Sequence, residues 1–293
     1  MDKKRIIFVR QTIHVVWSGE FVDIISETLG VKYLTTTQFF PYNFAMNFIY
    51  LSPHLDDAAL SCGGLIWDQV QAGQNVKVWN IFAGFPPPGE LSLYAQVHHK
   101  IWGVTAEDVV PSRRREDASA MAILGVQSRN FDFPDAIYRK DPKTGEPMYT
   151  SHGDLFGGLN HGDDVIIRRL VTLMADNLPE GSILVSPLTV GNHVDHQLVR
   201  VVAELLPNQV WYYPEFPYTQ EFFAAIPGLI PNGYKALITA VTDSGLKAWQ
   251  ESVAAYASQI STFWSSMAEM RNGIAKHADQ FGGVTLWHPA NPA

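Results

Sequence analysis

Short apolar runs and longer amphipathic stretches alternate along most of this chain. Residues 48–51 form a continuous apolar run, too short for a helix and the right length for a buried strand. Residues 58–72 carry helical spacing and stop at Gly73, a natural C-terminal signal. The span 76–82, rich in Val, Ile and aromatics, predicts a second strand. Phe85-Pro-Pro-Pro-Gly89 is a rigid loop, because its prolines fix φ and remove donors. Helices are expected over 91–102 and 112–124, the second closed by Gly125, and a short strand over 129–133. Residues 134–163 read as loop, with glycines at 153, 157, 158 and 162; a loop of that length in a compact domain is functional or mobile. Then come a helix over 163–177, a strand over 182–186, a helix over 194–206 and strands over 209–213 and 234–241. One long helix over 243–263 follows, capped by Asp243 or Ser244. Strands separated by single helices imply an α/β fold: a three-layer, Rossmann-like, mostly parallel sheet with helices on both faces. Binding sites in such sheets gather at the carboxyl ends of the strands.

Residues 1–45 lack this rhythm, and two readings compete for them. One is an extra strand-helix-strand unit over 6–9, 19–28 and 32–36. The other is an N-terminal extension ahead of a domain spanning 46–293, with Met46 just before the first convincing core strand.

Composition narrows the function classes. The 293 residues, 46% of them hydrophobic, suffice for a large core in one catalytic domain. The formal net charge of −8 argues against a nucleic-acid partner, since phosphate binding needs clustered Lys and Arg. The one basic cluster, Arg113-Arg114-Arg115, runs straight into Glu116 and Asp117 and reads as a helix start. Cys62 is the only cysteine, so no intramolecular disulfide can form; a buried, inert thiol in a reducing, cytoplasmic setting is expected. No apolar run reaches the ~18 residues that span a bilayer, and Arg10 interrupts the first apolar run too early for a signal peptide.

The chemistry lies in two short segments. Pro53-His54-Leu55-Asp56-Asp57 follows the strand at 48–51, and Gly191-Asn192-His193-Val194-Asp195-His196 follows the strand at 182–186. Either aspartate of the first segment could cap the helix behind it, and His54 could be a hydrogen-bonded loop residue. That leaves unexplained why two adjacent acids sit beside an imidazole at the mouth of a buried strand, where charge must be compensated. A divalent cation supplies the compensation. Three protein ligands and an open position for water make the catalytic zinc pattern, and His54, one aspartate and one of the two later histidines would fill it. The remaining carboxylate and imidazole are then free for proton transfer and oxyanion stabilisation, with Asp195 either orienting that imidazole or simply starting a helix. No Gly-x-Gly-x-x-Gly follows the first strand, which disfavours a dinucleotide enzyme.

At these residues the chain resembles the GlcNAc-phosphatidylinositol de-N-acetylase family, also called PIG-L or LmbE-like. The family signature is Pro/Ala-His-x-Asp-Asp answered by a later His-x-x-His. Arg113-x-x-Glu116 with Leu124-Gly125, the turn Pro134-Asp135 and the stretch Tyr256-x-Ser258-Gln259 are similar to further family features. Leu55 and Val194 stand where the family often has proline. The resemblance implies one zinc ion per chain held by His54, Asp57 and His196, with Asp56 as general base, and His193 assisting the oxyanion and the leaving amine. Arg113 and Asp135 would contact sugar hydroxyls or a neighbouring group. The implied reaction removes an N-acetyl group from a small amino sugar or sugar conjugate. The alternatives are a zinc amidase acting on a thiol- or antibiotic-type conjugate and a non-catalytic carbohydrate-binding relative; oligomeric state is left open. His98, His99, His152 and His161 match no family motif, and the last two fall in the long loop, where they could line a cleft. Expression from Met46 tests the reading of residues 1–45: failure of the shortened chain to fold rules out the extension.

Overall fold

In the computed structural model, residues 46–103 and 105–290 are described in full, together with the backbone of four strands ahead of them. Those four, β1 (Ile6–Val9), β2 (Thr12–Trp17), β3 (Glu20–Ile25) and β4 (Leu34–Thr36), pair in sequence order as an antiparallel sheet. The helix of a strand-helix-strand unit over 19–28 is therefore replaced by β3. Phe21, Val22, Ile24 and Ile25 favour an extended chain over a helix, and their strand pairs with Thr12–Trp17.

The main sheet contains β5 (Asn47–Ser52), β6 (Asn75–Asn80), β7 (Gln127–Asn130), β8 (Ile183–Pro187), β9 (Val210–Tyr213), β10 (Tyr234–Thr239) and β11 (Val284–Pro289), in the order β10-β11-β9-β8-β5-β6-β7. From β9 to β7 every pairing is parallel; β11 runs antiparallel to both β9 and β10. The chain builds outward from β5 to β7 on one side, then returns to lay β8 and β9 on the other. The carboxyl ends of β5 and β8 thus flank the switch point, the place where open α/β sheets bind ligands.

The helices are α1 (Asp57–Gln71), α2 (Leu93–Trp102), α3 (Val109–Leu124), α4 (His152–Leu155), α5 (Asp164–Ala175), α6 (Val194–Leu205), α7 (Tyr218–Phe222), α8 (Ile226–Leu229), α9 (Asp243–Ala254), α10 (Ala257–Phe263) and α11 (Met267–Phe281). Strand β5 shows why they cover both faces. Phe48 and Tyr50 enter one core with residues of α1, α3, α9 and α11, while Ile49 and Leu51 enter a second core with residues of α5 and α6. Side chains alternate across a strand, so a strand apolar at every position needs cover on both sides. No helix among the described residues is long and apolar enough to cross a membrane.

Three expectations need correction. The helix over 243–263 is two helices, α9 and α10, broken at Ala255-Tyr256. Tyr256 leaves helical geometry with ψ 56° and, fully buried, donates its phenol to the Leu55 carbonyl at 2.8 Å and to Asp117 at 3.0 Å. The third strand lies at Gln127–Asn130 rather than 129–133, placed by its parallel register with β6. Helix α11 and strand β11 were not anticipated; β11 inserts between β9 and β10, so these two late strands are not neighbours.

Helix α11 also buries His277 among Phe216, Phe281 and Trp249, with ring centroids 4.6, 4.7 and 6.2 Å away. Its Nδ1 is buried without a hydrogen bond, and burial pulls the imidazole down to about 4. A histidine depressed in the folded state leaves stability intact above about pH 6.5 and removes it as pH falls towards 4, because the unfolded chain takes the proton first; the cost is up to about 3 kcal/mol. His277→Met is expected to flatten this acid limb. Melting temperatures of wild type and variant, measured in parallel from pH 7 to pH 4, check it.

Candidate active site

Local sequence aims the first segment into the switch point. Beyond β5, the helix start that Asp56 could have capped is served instead by Ser52, whose hydroxyl accepts the Ala58 N–H at 3.0 Å. Asp56 sits at the cap position of α1 but makes no capping hydrogen bond. Its carboxylate, 5% exposed, turns to the Arg113 guanidinium at 3.0 Å. Asp57 bends the other way: its Oδ2 accepts the His54 backbone N–H at 2.7 Å, lies 3.2 Å from His54 Nδ1 and lies 3.3 Å from His196 Nε2. The capping reading of the two acids therefore fails for both side chains.

The second segment arrives from β8. His193 is the N-cap of α6 rather than part of its helical face, and its Nδ1 accepts the Asp195 backbone N–H at 3.1 Å. His196, one turn in, is fully buried. The rings of His54, His193 and His196 form a triangle with centroids 5.0, 5.4 and 5.5 Å apart.

Two overlapping groups of metal-capable atoms result, His54–Asp57–His196 and His54–His193–Asp195. Their surroundings differ. Asp195 accepts the Ala136 N–H at 3.1 Å and meets His54 Nε2 at 3.0 Å, and Arg139 pairs with its other oxygen at 2.5 Å; a guanidinium against that carboxylate opposes a further cation. Asp57 has no Arg or Lys partner among the described residues and faces two imidazole nitrogens. Each of those rings is gripped from behind by a carboxylate, His54 Nε2 by Asp195 and His196 Nδ1 by Glu215 at 3.0 Å. Such partners commonly orient metal-ligating histidines. His196 Nε2 is in addition a buried nitrogen with no hydrogen-bond partner. Two imidazoles, one carboxylate and an orphaned ring nitrogen fit a divalent cation with an open position. The first group is the ligand set expected from the family resemblance.

The electrostatics follow from the packing. Burial alone would lower His196, but Asp57 and Glu215 outweigh it and bring the imidazole up to about 9. His54 behaves alike: burial lowers it, and Asp195 and Asp57 together raise it well above the ordinary value. Burial would raise Asp57, yet His196 and His54 hold it well below the carboxylate range. Asp56 goes the other way, raised by burial against the opposing pull of Arg113. His193 is lowered by burial and further by His54.

The remaining predicted residues divide. Arg113 touches Asp56 and stacks over Trp102 at 5.9 Å, so within the protein its partner is the neighbouring acid. Asp135, after β7, caps a turn through the Ile137 N–H at 3.1 Å and leaves its other oxygen 3.6 Å from His54 Nε2. The Asp195 carboxylate engages His54, Ala136 and Arg139, while only its backbone N–H engages His193. The imidazole it orients is thus His54, a correction that turns on where the turn at 135–139 meets α6. His99 and His98 are satisfied by the Tyr138 hydroxyl at 2.6 Å and the Tyr94 carbonyl at 2.9 Å. His152 packs on Phe156 at 4.4 Å, and Phe156 packs on His193 at 5.2 Å, which brings the long loop to the edge of the site. Glu215 and Arg139 carried no motif; Glu215 is signalled only as an acid inside an aromatic stretch, and Arg139, followed by Lys140 and Asp141, by nothing in the sequence.

Fold and site together define a metal-dependent hydrolase of the N-deacetylase class. The chain belongs to the PIG-L family, GlcNAc-PI de-N-acetylase, which matches residues 49–206. It is 35% identical over 190 residues to a 2'-N-acetylparomamine deacetylase of Niallia circulans, covering 59% of this chain and 68% of that one. The zinc-inhibited form of a teicoplanin deacetylase superposes with a TM-score of 0.70 at 29% identity, over 83% of this chain and 97% of that one. The A40926 pseudoaglycone deacetylase, at 24% identity and a TM-score of 0.65 over 84% of this chain and 97% of that one, shares the fold.

Asp57 and the carboxylates behind each ring favour the protonated form of both imidazoles of the first group, and a ligand nitrogen must be free of its proton. Metal uptake by the metal-free protein at pH 7 is therefore expected to release protons. Apparent affinity should strengthen as pH rises towards 9, by about tenfold per pH unit for each proton displaced. Titration calorimetry in buffers of differing ionisation enthalpy reads the proton count.

Proposed function

We propose that this chain is a zinc-dependent deacetylase that hydrolyses the N-acetyl group of an amino sugar or amino-sugar conjugate, with one zinc per chain held by His54, Asp57 and His196. The observation that carries this reading is Asp57 Oδ2, shared by two imidazoles at 3.2 and 3.3 Å, beside a second buried acid that joins neither ring. A zinc ion held there would supply Lewis-acid polarisation and make the attacking water more acidic.

The chain's own residues supply the rest. Asp56 takes the proton of the attacking water; burial raises it towards the range where a carboxylate accepts and returns a proton effectively. Arg113 fixes its orientation at 3.0 Å. His193, with Nδ1 accepting a backbone N–H, is held as the tautomer whose Nε2 carries the hydrogen. With its imidazolium form disfavoured, it acts as a neutral donor to the carbonyl oxygen as charge develops there. The water oxygen bonds to the acetyl carbon, Asp56 passes its proton to the amide nitrogen, and the C–N bond breaks to give acetate and the amine. This assigns the leaving-amine proton to Asp56 and confines His193 to the oxyanion. Asp135, with one oxygen free of its turn, is placed to receive a substrate hydroxyl.

The 35%-identical 2'-N-acetylparomamine deacetylase and the superposed teicoplanin deacetylase support an N-acetylated amino sugar, borne on an antibiotic-type conjugate, over a thiol conjugate. His193→Ala should lower turnover by about 10²–10³-fold and leave zinc content near wild type. His54→Ala should lose the metal, and Asp56→Asn should keep metal and lose turnover. Acetate release from a panel of N-acetylated amino sugars, with elemental analysis of each variant, tests all three; equal zinc loss in the two histidine variants would overturn the assignment.

A further inference from the structure

Glu215 lies just beyond the carboxyl end of β9, 1% exposed, and pairs with no Arg or Lys among the described residues. A carboxylate buried without compensation is costly. Its contacts show what compensates it. Oε1 accepts the Thr189 N–H at 2.8 Å and lies 3.0 Å from His196 Nδ1; Oε2 accepts the Val190 N–H at 3.0 Å. The two backbone donors belong to the turn that runs from β8 to His193, where Thr189 is held at φ 71°, a left-handed conformation uncommon for a residue with a side chain. The backbone around Glu215 is itself tied down: the Phe216 N–H donates to Ser61 of α1 at 3.2 Å, and the Thr219 N–H donates to the Glu215 carbonyl at 2.9 Å.

We infer that Glu215 is a positioning residue for the metal centre: it fixes His196 with Nε2 facing Asp57 and, through the same carboxylate, fixes the turn that delivers His193. The inference rests on the proposed function, since it takes His196 as a metal ligand. Each oxygen accepts a backbone N–H, so neither can become an amide NH2 without facing a donor. Glu215→Gln therefore breaks the arrangement although it preserves shape. Two results are expected together. Zinc affinity falls about 10–100-fold, as for loss of an outer partner of a ligating histidine. kcat falls beyond what restored zinc recovers, with KM changed less, because His193 is no longer aimed.

The test is chelator competition for zinc on the wild-type protein, Glu215→Gln and a control, Asp68→Ala. The control removes a carboxylate near the opposite end of α1 from Asp57, where it accepts the Thr242 N–H at 2.9 Å. Melting temperatures with and without zinc accompany each. Positioning predicts that Glu215→Gln shrinks the zinc-induced rise in melting temperature, whereas Asp68→Ala lowers both temperatures and keeps the rise. A zinc affinity for Glu215→Gln equal to wild type overturns the inference and leaves the proposed function standing. A wild-type protein that takes up no zinc removes both. Should Glu215→Gln fail to fold, nitrogen NMR of 15N-histidine-labelled wild type decides: zinc must shift Nε2 of His196 while Nδ1 keeps its proton, and zinc on Nδ1 refutes it.

Discussion

The carboxylate of Asp57 is where the two histidine-bearing segments meet. Its Oδ2 meets His54 from its own loop and His196 from the far side of the switch point, at 3.2 and 3.3 Å. Unpaired, that buried charge would be expensive; paired across the sheet, it joins the end of β5 to the start of α6. Nearly every other polar contact nearby serves this junction or is kept away from it. Ser52 relieves the aspartates of capping, and Arg113 draws Asp56 aside, so two consecutive acids point to different tasks.

Around this junction, rigidity comes from carboxylates that face away from the reaction. Asp195, braced by Arg139, sets the far nitrogen of His54; Glu215, braced by two backbone N–H groups, sets the far nitrogen of His196. Arg139 also pairs with Asp163 at 3.1 Å, and Asp163 accepts the Tyr149 hydroxyl, so the long segment after β7 is anchored to the same network. That anchoring explains how a glycine-rich stretch can still place Asp135 and Phe156 at the edge of the site. Charged groups held by several donors lose little further entropy when a ligand arrives, which is the physical meaning of a preorganised site.

Legibility in the sequence followed the range of the interactions. The alternating apolar strands and glycine-terminated helices were readable because each needs only local spacing and one apolar surface, and β5, α1, α3 and α6 fall within a few residues of expectation. The two histidine–aspartate segments were readable because their ligands sit a few positions apart on one strand exit or one helix start. Less local features were not. The break at Tyr256 exists because its phenol reaches Leu55 and Asp117, contacts 201 and 139 positions away. Strand β11 takes its place through pairing with β9 and β10, a choice made by the sheet edge rather than by the six residues concerned.

The identity of the chemistry was thus present in the linear chain: imidazoles and carboxylates bunched where strands end, in an acidic chain with one cysteine, leave few reactions open. The division of labour among those groups was not legible from residue type and spacing; the family resemblance alone assigned Asp56 and Asp57 separate roles. Asp56 and Asp57 are neighbours of the same residue type, and nothing in their order assigns one to Arg113 and the other to His196. Asp195 stands between His193 and His196 in the chain, yet its carboxylate belongs to His54. Glu215 reads as one acid in an aromatic run until β9 lies beside β8 and brings it under His196. A side chain's type is written in the residue, but its partners are set by which backbone segments pack together, and for charges taken out of water the partner decides the role.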